Sequence, residues 1–393
     1  MKNRRCFFLF KCILIICVTL MSGCDIKDGA VENTNANIEA SHDYDEDIES
    51  ADSKDVGIVE ETEKSVEAPI EADDVIQDEI YNIKEGEVMS NEVVSKLAVN
   101  GTSLVNEVGE QIQLRGISTH GITVYPEYVN YESFKTLRDD WGANCIRLAM
   151  YTMEENGYCN EANKEELKQL IHDGVSYATQ LNMYVIIDWH ILSDGNPRIN
   201  EGEAIKFFEE MSAKYKNCPN VIYEICNEPN NTSWEDTKAY ALNVIPVIKA
   251  NNEDAVIIVG TPSWCQEPGV GVENPIEGYT NLMYCVHFYS ASHGEEYRQR
   301  MIDAMDAGVP VFCSEFGTCS ADGNGTYDLA EAEEWIKAMD ERKISYCVWN
   351  LSNKAEASAL IKDSCSKTSD WTVDELSTEG VWYRELLRKA INK

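Results

Sequence analysis

Residues 93–393 predict an α/β fold, a (β/α)8 TIM barrel with an N-terminal hairpin, preceded by a disordered acidic tether. Three observations lead there. Eight short runs rich in β-branched residues alternate with amphipathic stretches, the pattern of buried parallel strands joined by crossover helices. Polar and aromatic residues recur at the C-terminal ends of those runs, the face on which such barrels carry their chemistry. No G-x-G-x-x-G follows the first run, which disfavours a doubly wound sheet.

The hairpin is read from Asn100-Gly101, a two-residue turn signal between residues 97–99 and 103–105. A strand over 111–118 and a helix over 131–141 follow. Strand 144–150 pairs with helix 164–181, strand 183–190 with helix 201–215, and strand 221–227 with helix 234–250. Strand 255–260 opens into a Gly/Pro-rich loop, 266–279. Strand 282–289 precedes helix 295–307, strand 309–314 precedes helix 328–342, and strand 346–351 leaves helix 382–391 to close the chain. The run ending Ile225-Cys226-Asn227-Glu228-Pro229 stops at a proline, which cannot continue a ladder, so Glu228 sits at a strand tip. The run ending Cys313-Ser314-Glu315-Phe316-Gly317 leaves Glu315 in the same position.

The 393 residues carry a formal net charge of −36. Residues 25–92 hold 23 acidic residues against 4 lysines and show no sustained apolar period. Such a stretch buries too little surface to fold, so 24–92 is expected to be a solvated linker. The acidity argues against nucleic acid and anionic membrane surfaces as partners. Ahead of it, a basic start and a short apolar core at 13–20 end in Leu20-Met21-Ser22-Gly23-Cys24. That core is too short to span a membrane, and 1–23 reads as a lipoprotein signal peptide with Cys24 as the lipidated residue. The expected location is the bacterial cell surface, held by lipid, with ordinary secretion as the alternative. Of the cysteines beyond Cys24, Cys145, Cys226, Cys285, Cys313 and Cys347 fall in strands and read as small core residues, while Cys159, Cys218, Cys265, Cys319 and Cys365 fall nearer loops. No C-x-x-C or zinc-like His spacing is present.

The strand tips present His120, Arg147 with Tyr151, His190, Asn227 with Glu228, Trp264, His287 with Tyr289, Glu315, and Trp349. A merely solvated barrel face would carry long Lys and Glu instead. Two carboxylates on one such face are the minimum for glycoside cleavage, one to protonate the leaving oxygen and one to meet the developing oxocarbenium ion. Glu228 is the expected donor and needs a raised pKa; Glu315 is the expected nucleophile and must stay ionised. Arg147 and Tyr289 suit the support of an ionised carboxylate. Asn227 suits a sugar 2-OH, the histidines suit sugar hydroxyls or the orientation of carboxylates, and the tryptophan faces suit pyranose C–H surfaces. A metal-dependent hydrolase also uses His and carboxylates, but no H-x-H ends the first strand, so no metal is expected.

These residues stand in motifs that resemble glycoside hydrolase family 5, in particular the bacterial endo-β-1,4-glucanases of its subfamily 2. The motifs are Leu114-Arg115-Gly116-Ile117-Ser118-Thr119-His120-Gly121, Asn144-Cys145-Ile146-Arg147, Ile187-Asp188-Trp189-His190, Tyr223-Glu224-Ile225-Cys226-Asn227-Glu228-Pro229, Val286-His287-Phe288-Tyr289, Ser314-Glu315-Phe316-Gly317 and Trp349-Asn350-Leu351-Ser352-Asn353-Lys354. The resemblance implies a retaining double displacement on a β-glucan, with Glu228 as acid/base and Glu315 as nucleophile and no cofactor. It places His120, Arg147, His190, Asn227, His287, Tyr289 and Trp349 around them, and Tyr151, Trp264, Lys354 and Glu356 along the cleft. Relatives commonly carry a Trp four residues after the first His; here that residue is Val124, with Tyr125 beside it. A mannanase, xyloglucanase or mixed-linkage glucanase on the same barrel is the alternative, and a non-catalytic surface glycan-binding lipoprotein a further one. A monomer is expected, touching membrane only through its anchor. The two carboxyl groups should lie about 5 to 5.5 Å apart, and Arg147 should reach Glu315.

Overall fold

The computed structural model describes residues 94–391. The expected signal segment, Cys24 and the acidic linker lie outside the described residues.

Strands β1 (Ala98–Asn100) and β2 (Ser103–Val105) form the antiparallel hairpin, and Gly101 takes the positive φ its turn requires. Leu97 and Leu104 bury themselves with Ile222 and Val256, so the hairpin seals the N-terminal end of the barrel. The barrel strands are β3 (Arg115–Thr119), β4 (Cys145–Tyr151), β5 (Tyr184–His190), β6 (Val221–Glu224), β7 (Ile257–Val259), β8 (Leu282–Tyr289), β9 (Val311–Gly317) and β10 (Tyr346–Leu351). Each pairs in parallel with the next, and β10 closes on β3.

Strand alternation sorts the side chains into two cores. On β4, Ile146, Leu148 and Met150 face the helices, while Cys145, Arg147, Ala149 and Tyr151 face inward. The inner filling is apolar near the hairpin, where Leu114, Cys145, Ile186, Ile258, Met283 and Phe312 meet. It turns polar one layer higher. This change of layer is what places charge beneath the open, C-terminal face.

The structure corrects several expected boundaries. Residues 111–114 do not join the first barrel strand: Gln111 bridges back to Val105, and β3 begins at Arg115. The helix expected over 131–141 stays α-helical only through Tyr131–Thr136, and Leu137–Trp141 widens into a π-turn closed by Gly142 at φ 90°. β6 stops at Glu224 rather than 227, although the Ile225 and Asn227 amides still donate to Ile258 and Trp189. The closing helix starts earlier, at Thr378. Within 266–279, Val270–Glu273 forms one helical turn. Of the ten described cysteines all but Cys159 are buried, including the other four expected near loops.

β9 carries a one-residue bulge. Phe312 pairs with Cys285 and Glu315 with His287, so three steps on β9 match two on β8; the register with β10 shifts at the same place. Phe312, Ser314 and Glu315 therefore all reach the interior, whereas Cys313 and Phe316 face the helices.

Candidate active site

The polar layer is organised around Arg147, which is wholly buried. Its Nε and Nη2 donate to the two oxygens of Glu224 at 2.8 and 3.1 Å. Nη2 also reaches Asn227 Oδ1 at 2.6 Å and Asp188 Oδ2 at 2.9 Å, and Nη1 donates to Glu315 Oε2 at 3.1 Å. Burial pushes Glu224 up to about 8 and Asp188 up to about 7, while Arg147 pulls both down. The fork-on-fork contact needs both Glu224 oxygens as acceptors, so we read Glu224 as the carboxylate. Ser314 Oγ adds a hydrogen bond to Glu224 at 2.7 Å. Asp188 accepts from His190 Nδ1 at 2.7 Å, and burial together with Arg147 keeps that ring well below the usual histidine range, hence neutral.

Above this layer stand the two glutamates. Glu315 accepts Tyr289 Oη at 2.7 Å besides Arg147. Burial works against its charge, but His287, Arg147 and the Tyr289 hydrogen bond outweigh burial and hold it below the usual carboxylate value. Among the described residues, the Glu228 carboxyl has a single hydrogen-bond partner, His287 Nδ1 at 2.9 Å. Burial pushes it up to about 7; the His287 bond opposes that rise, and the Glu315 charge adds to it. One oxygen of each glutamate and a His287 nitrogen lie within 4.8 Å of one another. Two neighbouring carboxyl groups thus have opposite environments, one set to hold a proton and one set to lose it.

A cleft of about 500 Å³ opens over the pair. Of the residues expected from sequence, His120, Tyr151, His190, Glu228, Trp264, His287, Tyr289, Glu315, Trp349, Lys354 and Glu356 line it. Trp349 stacks on His190 with ring centroids 5.1 Å apart and stays 7% exposed, whereas Trp264 is 45% exposed. Ser263, Trp264 and Cys265 run through the left-handed region at φ 56, 57 and 59°, a turn tied back by the Trp264 amide to Pro229 O at 3.1 Å. That turn sends the indole outward and Cys265 inward. His120 accepts the Gly121 amide at Nδ1 and faces Lys354 at Nε2 across 3.2 Å; burial and Lys354 drive its pKa down to about 3. Lys354 pairs with Glu356 at 2.6 Å. Val124 is exposed and lies outside the cleft lining, while Tyr125 packs edge-on against His120 with centroids 4.9 Å apart.

The chain matches the family model described as cellulase (glycosyl hydrolase family 5) over residues 105–355. It belongs to glycosyl hydrolase family 5. Endoglucanase A of Butyrivibrio fibrisolvens is 47% identical over 326 residues, 82% of this chain and 72% of the relative. An endoglucanase of Clostridium saccharobutylicum is 43% identical, over 77% of this chain and 67% of its own length. Among solved structures, the catalytic domain of Thermobifida fusca endoglucanase Cel5A, in complex with cellotetraose, superposes with a TM-score of 0.72 at 39% identity. It covers 75% of this chain and 98% of that one.

Within this family 5 barrel, Arg147 and Asn227 lie beneath the cleft rather than in its wall. Asn227 was expected to hold a sugar hydroxyl, yet its groups are engaged by protein. Oδ1 takes Arg147, and Nδ2 spans His190 Nε2 and Ile191 O, both at 3.1 Å. As folded it links Arg147 to His190, and a sugar would have to displace one of these bonds. Sequence reasoning passed over Asp188, Glu224 and Ser314. The available signal was a lone acid inside an apolar run, as in Val185-Ile186-Ile187-Asp188-Trp189, since such an acid is rarely buried without a partner. It also passed over Gln266 and His293, which line the cleft and contact each other at 3.0 Å.

Proposed function

We propose that this chain is an endo-β-1,4-glucanase that hydrolyses internal β-1,4-glucosidic bonds of cellulose-type glucans by a retaining double displacement. The observation that carries this reading is the Glu228–Glu315 pair, with one oxygen of each within 4.8 Å of the other and the two groups oppositely poised. Inverting enzymes keep their carboxyl groups about 6.5–9.5 Å apart to admit a water between them, and retaining enzymes about 5–5.5 Å. In the first step protonated Glu228 gives its proton to the glycosidic oxygen while Glu315 attacks the anomeric carbon. The leaving chain departs, and a glycosyl ester on Glu315 remains. Glu228, now a carboxylate, takes a proton from water, which attacks the same carbon and frees Glu315. Arg147 and Tyr289 keep Glu315 ionised and oriented, and His287 holds Glu228 in place. The exposed Trp264 face offers a stacking surface for a pyranose ring. The endoglucanase names of the relatives support the choice of linkage.

Reducing-sugar release by the full chain and by Glu315→Gln, with a chelator present, tests this. The substrates are carboxymethyl-cellulose, barley β-glucan and glucomannan. Release from the cellulose derivative that vanishes in the variant supports the reading; release from glucomannan alone moves the substrate to mannan. For the chain's location, the Leu20–Cys24 motif supports a surface lipoprotein anchored at Cys24. Partition of wild type into the membrane fraction, and of Cys24→Ser away from it, is the expected result.

A further inference from the structure

Two buried thiols beside the site take no part in the proposed chemistry. Cys285 and His287 sit two apart on β8, so both face the barrel interior. Cys265 enters from the left-handed turn after the neighbouring strand β7. One sulfur from each cysteine and a nitrogen of His287 lie within 4.8 Å of one another, and all three residues are buried. Tetrahedral zinc, with Zn–S near 2.3 Å and Zn–N near 2.0 Å, holds such ligands roughly 3.5 to 3.8 Å apart, within reach of small side-chain rotations. Two sulfurs and an imidazole are the donor set that selects thiophilic cations over hard ones.

We propose that Cys265, Cys285 and His287 form an inhibitory site for a thiophilic divalent cation of the zinc group. Ser314 Oγ lies 2.9 Å from Cys285 Sγ and 3.0 Å from His287 Nε2, so Nε2 is the nitrogen on the cysteine side. Nδ1 is the one facing Glu228, at 2.9 Å. A cation on Nε2 takes that lone pair, and both thiols release their protons to solvent. The ring proton is then fixed on Nδ1, pointing at Glu228, and Nδ1 can no longer accept the hydrogen bond of the protonated acid that the first step consumes. Glu228 and His287 line the cleft, as do Trp264 and Gln266 on either side of Cys265, so the buried site lies directly behind the cleft wall. The ligands come from the turn after β7 and from within β8, with Cys265 and Cys285 twenty positions apart, which is why no short metal-binding spacing marks them.

The inhibitory half of this proposal rests on Glu228 as proton donor; the binding half does not. The test is titration of the full chain with cadmium, in a phosphine reductant and without chelator, following the ultraviolet thiolate-to-cadmium charge-transfer band. Zinc is read by its competition for that band, and glucan hydrolysis is followed in parallel. The band should saturate at one cadmium per chain while hydrolysis falls about a hundredfold, the order of a general acid's contribution, and a chelator should restore it. Cys265→Ala and Cys285→Ala should each lose the band and the metal sensitivity and keep metal-free hydrolysis, with the serine variants as substitutes if either misfolds. Absence of the band, or a band without inhibition, overturns the proposal. So does equal inhibition of the variants, which would put the metal on Glu228, His287 and Glu315 instead. A chain that hydrolyses no glucan even without metal would refute the functional reading, and the band would still decide the site.

Discussion

Ser314 and Glu315 are neighbours in sequence, yet both side chains face the barrel interior, Ser314 against Glu224 at 2.7 Å and Glu315 against Arg147 at 3.1 Å. The bulge in β9 makes this possible. In a regular strand one of the two would point at the helices. Here the lower residue braces the buried anion under Arg147, and the upper one presents its carboxylate to the cleft.

Removing the Glu315 charge should therefore abolish turnover without disturbing the fold. Glu315→Gln is expected to lower kcat by at least about a thousandfold. Calorimetric binding of a cello-oligosaccharide and the thermal midpoint should stay near wild type. Retained turnover would move the nucleophile elsewhere.

The pH profile should be bell-shaped. Glu315 must be ionised and is held low, so it sets the acid limb. Glu228 must be protonated and is pushed up to about 7, so activity should fall as pH rises through that value. The His287 hydrogen bond opposes that rise. His287→Ala should thus move the alkaline limb of kcat/KM to higher pH on whatever activity remains; a limb moving to lower pH would contradict the assignment.

Arg147 faces Asp188, Glu224 and Glu315 with no exposure to solvent. Lysine cannot reproduce the fork that Glu224 and Glu315 share. Arg147→Lys should cost about 3–5 kcal/mol, the usual loss when a buried pair is broken. Denaturant titration at neutral pH reads this, and the acid limb of activity should shift upward as Glu315 loses its guanidinium hydrogen bond.

Trp264 contributes a flat, 45% exposed face and takes part in none of the hydrogen bonds of Glu228 or Glu315. Trp264→Ala should raise KM for longer oligosaccharides by roughly two- to tenfold, from about 0.5–1.5 kcal/mol of stacking. kcat should change little. A fall in kcat with KM unchanged would place the indole in the reaction rather than in binding.

Glu379 is fully buried far along the chain from this site; its Oε1 takes the Thr318 amide at 2.8 Å, and Oε2 has no partner among the described residues. Burial holds its pKa well above the usual carboxylate value, against the hydrogen bond from the Thr318 amide. A raised folded pKa makes a stabilising contribution that is complete at low pH and is lost as pH rises through the folded value. Glu379→Gln keeps the acceptor and removes the ionisation. Its thermal midpoint should fall less than that of wild type as the buffer is made alkaline.

The strand tips were legible because alternation and breaking residues are local signals. Pro229 ends one run and Gly317 another, and each leaves a glutamate at the open face. The lower polar layer was harder to read. Asp188 and Glu224 lie inside apolar strands, and their meaning depends on Arg147 arriving from a third strand. The bulge that turns Glu315 inward leaves no mark in Phe312-Cys313-Ser314-Glu315-Phe316, since it exists only relative to β8 and β10.

Order and composition along the chain determined the barrel, the identity of the two carboxylates and the aromatic cleft wall, because each follows from periods of two and 3.6 residues and from what ends them. Only the closed barrel decided that burial pushes Glu228 up while its partners hold Glu315 low, that Asn227 serves Arg147 and His190, and that Cys265 meets Cys285. Those properties depend on distances of 3–5 Å between residues tens of positions apart, and on the burial that makes charge costly there. Such distances come into being when β10 pairs with β3 and water is shut out.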